Sequence, residues 1–357
     1  MQPPLPRVPS VPSFTSFPCA GPLLRGLGLV VLLGACDPAP APIEDAGTDA
    51  PRTVRDAGPP LGLPPLDCSR GTCWTFAVLS DTHVIDEWYV GPESNPLDTS
   101  SILMANDRLA RVRDRLNELS DASPIDLALV AGDIVHDFPF DDVASYVTGP
   151  DADRTAVAIV RDLYAGFAMP VHLALGNHDY DQPRISRDTT HDIFRAVLGV
   201  EPYYAVEHRG LRFLVLNSQL GDTWDPTSPS YDESLGSLGA EQLAWIEAQL
   251  SDATPTILIV HHHPWSFARD EVPSAPHPDL FSLSEGYSDV IRLVISGHLH
   301  RWIDHEDEYG ARHLTMGSTR YDQDAFLLFQ ADEATGDVEL LNPETPVWRT
   351  VDSEPAR

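Results

Sequence analysis

The chain reads as an α/β domain: short apolar runs alternate with segments whose apolar residues recur every three to four positions, and each apolar run ends in a polar cluster. With 357 residues and 42% apolar side chains it has enough material to bury a sizeable core. Strands are expected at residues 76–79, 127–130, 171–175, 213–216, 257–260 and 293–295. A helix is expected over 102–119, where Leu103, Leu109, Val112 and Leu116 share one side, and further helices over 155–167 and 239–250. Beyond Gly297 the pieces 312–316, 326–330 and 338–341, with Gly336 and Asp337 as a turn, read as antiparallel strands, so the sheet is expected to be mixed. No internal repeat or inner boundary interrupts residues 68–350, which therefore form one domain.

Upstream of that domain the composition changes twice. Arg7 and Arg25 precede an apolar run, 26–35, that is too brief to span a bilayer but suits the hydrophobic region of a signal peptide. It closes on Leu33-Gly34-Ala35-Cys36, which resembles the lipobox of bacterial lipoproteins. The resemblance implies a signal peptide over 1–36, lipidation of Cys36, and an exported protein attached by that lipid to the cell-envelope membrane. An ordinary secretory signal cleaved nearby, with Cys36 a spare thiol, is the alternative, and it also exports the chain. Residues 37–67 are dominated by Pro, Ala, Asp and Gly and hold too few large apolar side chains to offset their ordering entropy, so they are expected to be a disordered tether. Cys68 and Cys73 then bracket Ser-Arg-Gly-Thr, a spacing that suits a small disulfide loop; a zinc pair is the alternative.

Charge limits the partners. With 54 acidic against 23 basic residues the formal charge is -31, a field that repels nucleic acid and anionic bilayer surfaces. No nucleic-acid partner is expected.

The polar clusters carry the chemistry. They are Ser80-Asp81-Thr82-His83, Gly132-Asp133, Gly176-Asn177-His178-Asp179, His261-His262-His263-Pro264 and Gly297-His298-Leu299-His300, each directly after an expected strand, where open α/β sheets bind ligands. Asp81 and His83 stand two apart, as do His298 and His300, so on an extended backbone both members of each pair would point the same way. Carboxylate, imidazole and amide oxygen together suit Mn, Fe or Zn, and the absence of thiolate argues against a structural zinc.

Each cluster alone is a weak signal, but all five in this order resemble the calcineurin-like metallophosphoesterase superfamily, whose pattern is Asp-x-His, Gly-Asp, Gly-Asn-His-Asp/Glu, His and Gly-His-x-His. The resemblance spans residues 76–318 and lacks no element. It implies a four-layer α-β-β-α sandwich of two mixed β-sheets flanked by helices. It also implies two divalent or trivalent ions (Mn, Fe or Zn), one held by Asp81, His83 and His300, the other by Asn177, His262 and His298, with Asp133 between them. Among the three adjacent histidines His262 is chosen because the family ligand often stands two before a proline; His261 is then the last strand residue and His263 a rim or packing residue. His178 is implied as the general acid. His136 stands three after Asp133, where purple acid phosphatases have a tyrosine, and is expected to contact phosphate or orient His178; Asp137 or Asp179 could do the orienting instead. The expected activity is hydrolysis of a small or lipid-linked phosphate mono- or diester. The competing expectation is a non-catalytic envelope lipoprotein that keeps the fold as a binding or scaffolding module. That reading predicts missing ligands. A metallo-β-lactamase-type centre would need His-x-His-x-Asp-His, which the sequence does not contain.

Overall fold

The strand that carries Asp81 at its end, β2 (Cys73–Leu79), is apolar on both faces and lies in the middle of a five-stranded sheet. It pairs in parallel with β3 (Ile125–Ala131), which pairs in parallel with β4 (Val171–Ala174). On its other side β2 pairs antiparallel with β11 (Phe326–Asp332), and β12 (Val338–Leu340) closes the edge. A second, eight-stranded sheet runs in the order β1 (Val54–Asp56), β13 (Arg349–Val351), β9 (Ile303–Asp304), β10 (His313–Thr315), β8 (Ile291–Ser296), β7 (Thr256–Ile259), β6 (Leu211–Val215) and β5 (Tyr204–His208). This computed structural model describes residues 54–56, 63, 65–89, 100–305, 311–343 and 349–351, all within the unit Thr48–Arg357. The signal-peptide region, Cys36 and most of the tether lie outside the described residues.

Burial on both faces explains why these strands are nearly all apolar rather than alternating. One face of the first sheet packs on α1 (Ala105–Ala122), α2 (Val143–Val147), α3 (Ala156–Ala165) and α4 (Arg187–Leu198) through Leu109, Val112, Val160 and Phe194. Its other face meets the second sheet through Phe76, Leu129, Phe213, Ile257 and Leu293. The outer face of the second sheet packs on α5 (Gly239–Leu250) and α6 (Leu280–Gly286) through Leu243, Ile246, Leu258 and Leu283. Helix, sheet, sheet and helix follow one another as the expected four layers.

Several expectations shift, among them Leu103, which precedes α1 and is 61% exposed. β10 runs parallel to β8 and antiparallel only to β9, because the chain first lays down β9 one strand position away from β8 and then doubles back to fill the gap between them. Within the expected tether Val54–Asp56 forms β1 against β13, a backbone pairing that needs no apolar side chains. Helix α4 and strand β5 were not foreseen: α4 carries many polar residues, with Thr190, His191, Ile193 and Phe194 buried. Cys68 and Cys73 are joined as a disulfide where the chain enters β2.

Candidate metal centre

The parallel strands of both sheets deliver their carboxyl ends to one place. Asp81 and His83 follow β2, Asp133 follows β3, Asn177 and His178 follow β4, His261 follows β7, and His298 and His300 follow β8. Asp81, His83, Asp133, His261 and His262 are all buried.

The turns after β2 and β8 are not extended. Asp81, His83, Asp133, His298 and His300 have φ of 53°, 45°, 52°, 73° and 53°, five of the eight positive-φ non-glycine residues among those described. The residues two apart thus converge through left-handed bends, not through the strand alternation expected from their spacing. Such bends cost on the order of 1–3 kcal/mol each and persist only where neighbours hold them. The neighbours are visible. Asp81 N–H donates to the Gly132 carbonyl at 3.0 Å and His83 N–H to the Asp133 carbonyl at 2.9 Å, lacing the two turns together. From the other side Ser318 Oγ and Arg320 N–H both donate to the Asp81 carbonyl, at 2.9 and 3.1 Å. His298 N–H donates to Asp81 Oδ1 at 3.0 Å.

Asp81, His83, Asp133 and His300 bring one donor atom each within 4.8 Å of one another. His83 Nε2 lies 3.1 Å from His300 Nε2 and 3.4 Å from Asp133 Oδ2, and His300 Nε2 lies 3.2 Å from Asp81 Oδ1. Asn177 Oδ1 lies 2.8 Å from His261 Nε2 and 2.9 Å from His298 Nδ1, and His261 Nε2 lies 3.2 Å from Asp133 Oδ1. Asp133 therefore presents one oxygen to each group.

Burial pushes the His83 ring well below the usual imidazole range, which keeps it neutral. Burial also opposes charge on His261, but the Asp133 carboxylate outweighs it and holds that ring up to about 9. A cation fits this electron-rich set. Two carboxylates, four imidazoles and an amide oxygen converge with few protons to share, and mixed O and N donors suit Mn, Fe or Zn.

The three adjacent histidines separate sharply. His261 Nδ1 donates to the Ala131 carbonyl at 2.9 Å, which turns Nε2 onto Asn177 and Asp133. His262 faces Ser218 Oγ through Nδ1 at 2.8 Å, and its buried Nε2 has no hydrogen-bond partner. His263 Nε2 lies 2.8 Å from Ser266 Oγ. The imidazole that reaches Asn177 is thus one residue earlier than expected. β7 ends at Ile259, so His261 is already past the strand, while the ring of His262, the expected ligand, lies 4.5 Å from that of His298.

His178 N–H donates to Asp133 Oδ1 at 2.9 Å, and its ring lies against that of His136, with centroids 4.7 Å apart and an interplanar angle of 19°. The orienting contact to His178 comes from the His136 carbonyl, 3.3 Å from Nδ1, while the His136 ring turns its Nδ1 to within 3.2 Å of His83 Nδ1. Asp179 does not orient His178. Its oxygens accept from the backbone N–H groups of Ile134, Val135 and Gly176 at 2.9, 2.9 and 2.7 Å, so it ties the turn after β3 to the turn after β4. His305 and His313 are buried and meet Thr315 Oγ1 and Ser296 Oγ at 2.9 and 3.2 Å.

Residues 75–302 match the family model for calcineurin-like phosphoesterases, a span that holds every turn described above except the one carrying Ser318. The chain belongs to the calcineurin-like phosphoesterase family. That family is metal-dependent, and Asp81, His83, Asp133 and His300 are a group able to hold an ion in this member. A Synechococcus sp. protein named "probable cyclic nucleotide phosphodiesterase" is 29% identical over 187 residues, 51% of this chain and 60% of that relative, so the match spans less than two thirds of its length. Among solved structures, a dimetal phosphatase from Danio rerio is 19% identical, covering 72% of this chain and 92% of its own, with a TM-score of 0.47. A calcineurin-like phosphoesterase from Bacillus subtilis is 15% identical, covering 76% and 88%, with a TM-score of 0.41.

Proposed function

We propose that this calcineurin-like phosphoesterase hydrolyses phosphate mono- or diesters of small molecules at a two-metal centre. Asp81, His83 and His300 would hold one ion, Asn177, His261 and His298 the other, and Asp133 would belong to both. The single observation behind this reading is the split of the Asp133 carboxylate, with Oδ2 toward His83 and Oδ1 toward His261. When bound, such a pair of ions supplies Lewis acidity toward water and the phosphoryl oxygens. The chain's own residues do the rest. The turns bury Asp81, His83 and Asp133, while the His300 side chain stays 15% exposed. His178 is tethered by its N–H to Asp133 and by Nδ1 to the His136 carbonyl, which leaves Nε2 to deliver a proton to the departing alkoxide. His136 fixes the His83 ring through its far nitrogen, the usual way a ligating histidine is oriented.

The relative's name makes cyclic nucleotides the first esters to assay. The test loads the protein with Mn and compares bis-p-nitrophenyl phosphate, p-nitrophenyl phosphate and 3′,5′-cyclic AMP, with Asp133→Ala as control. Folded protein that retains its metal but turns over none of them sinks the reading. We also propose export and anchoring through lipidated Cys36, supported by the apolar run and lipobox-like sequence alone. Loss of membrane association in Cys36→Ser is expected; unchanged fractionation refutes the anchor.

A further inference from the structure

The ring contacts around the centre run beyond the candidate ligands. Tyr89 meets His136 at 5.4 Å, His136 meets His83 at 5.3 Å, His83 meets His300 at 5.1 Å, and His300 meets Tyr321 at 5.3 Å between centroids. This row of five rings has a tyrosine at each end. Tyr89 is half-buried and Tyr321 is 41% exposed. An exposed aromatic ring held rigidly beside a catalytic centre is a surface on which a flat group stacks at little entropic cost.

Tyr321 is held rigidly. Its loop is pinned to the turn after β2 by Thr319 N–H on the Ser80 carbonyl at 3.0 Å and Arg320 N–H on the Asp81 carbonyl at 3.1 Å. Tyr321 N–H itself donates to the Ser318 carbonyl at 3.1 Å. The Arg320 guanidinium lies over the Tyr321 ring, 5.0 Å from its centroid, and is steadied by a 2.9 Å bond from Nε to Ser101 Oγ. These contacts fix the tyrosine relative to Asp81 and therefore to any phosphate bound there.

We propose that Tyr321 seats the nucleobase of a nucleotide substrate and so sets specificity for phosphoesters that carry a flat heteroaromatic group. The proposal rests on the hydrolytic reading above. Charge favours it over recognition of further phosphates. In a protein of formal charge -31 an uncharged base adds affinity without adding repulsion.

The test uses the full-length, Mn-loaded protein and calorimetric titration with two slowly hydrolysed probes, inorganic thiophosphate and adenosine 5′-monothiophosphate. The wild type is expected to bind the adenosine probe about tenfold or more tighter than thiophosphate, the size of one base–aromatic stack. Tyr321→Ala should erase most of that difference while leaving thiophosphate affinity unchanged, and Tyr321→Phe should keep it. Equal wild-type affinity for the two probes overturns the inference and leaves the hydrolytic reading standing. So does a Tyr321→Ala loss shared equally by both probes, which would mark a structural role. Failure of folded, metal-loaded protein to bind either probe sinks both.

Discussion

Around Asp81, His83 and His300 the backbone is bent into left-handed conformations, whereas Asn177 and His261, on the other side of Asp133, keep ordinary backbone and gain their closeness from glycine. A Cβ on Gly132 would land on the His261 ring, and one on Gly176 would land on the Asp133 backbone nitrogen and Oδ1. The first half thus depends chiefly on latches that hold strained turns, while the second combines one strained residue, His298, with the empty space beside Gly132 and Gly176. The two should fail differently: the first by loosening when a latch is removed, the second by clashing when a methyl group is added.

The largest effect is expected where the halves join. Asp133→Ala should abolish turnover of every ester and lower the metal content of both halves together, read by elemental analysis; loss of one ion alone would mean that Asp133 is not shared. Gly176→Ala should come next. The obstructing atom is backbone, which cannot swing aside, so about 1–3 kcal/mol of stability should be lost, seen as a lower Tm, and turnover should fall with it. An unshifted Tm would show that the second half has room to give.

His136→Ala sharpens the comparison because its ring meets His83, a candidate ligand of the first half, as well as stacking on His178. Orienting partners of metal-bound histidines are typically worth about 10–100-fold in metal affinity or activity. That loss should appear for one of two ions in a chelator competition, together with a changed pH–rate profile. Unchanged turnover and pH profile would remove His136 from the mechanism. The smallest effect belongs to Ser318→Ala, which deletes one bond to the Asp81 carbonyl and should cost about 0.5–1.5 kcal/mol. If Ser318→Ala moves neither Tm nor first-half metal affinity, the latch on the Asp81 turn is not needed.

Strand positions were legible in the sequence because the inner strands are buried on both faces and show as bare apolar runs; 127–130 falls inside β3 and 257–260 overlaps β7. The order of polar clusters was legible for the same reason, since each cluster begins where a run stops. The direction of β10 was not, because the β9 reversal that sets it is only two residues long. Nor was the way the adjacent histidines divide, His261 meeting Asn177 and His262 the ring of His298, which depends on where β7 ends and on the carbonyl that accepts from His261 Nδ1. Asp179 looked catalytic because it adjoins His178, and only the three backbone amides aimed at its oxygens reveal a tie between turns.

The polarity of β2 has a practical consequence. The strand starts at Cys73, beside the disulfide, and delivers Asp81 just past its far end, and β11 antiparallel to it brings Asp332 back alongside Cys73. Seven residues of strand put that entrance about 20 Å from the ligands. A dye, a resin or a fusion partner joined near Cys68 would sit at the end of β2 away from the ligands, while the same cargo placed on Tyr321 would stand against the His300 ring.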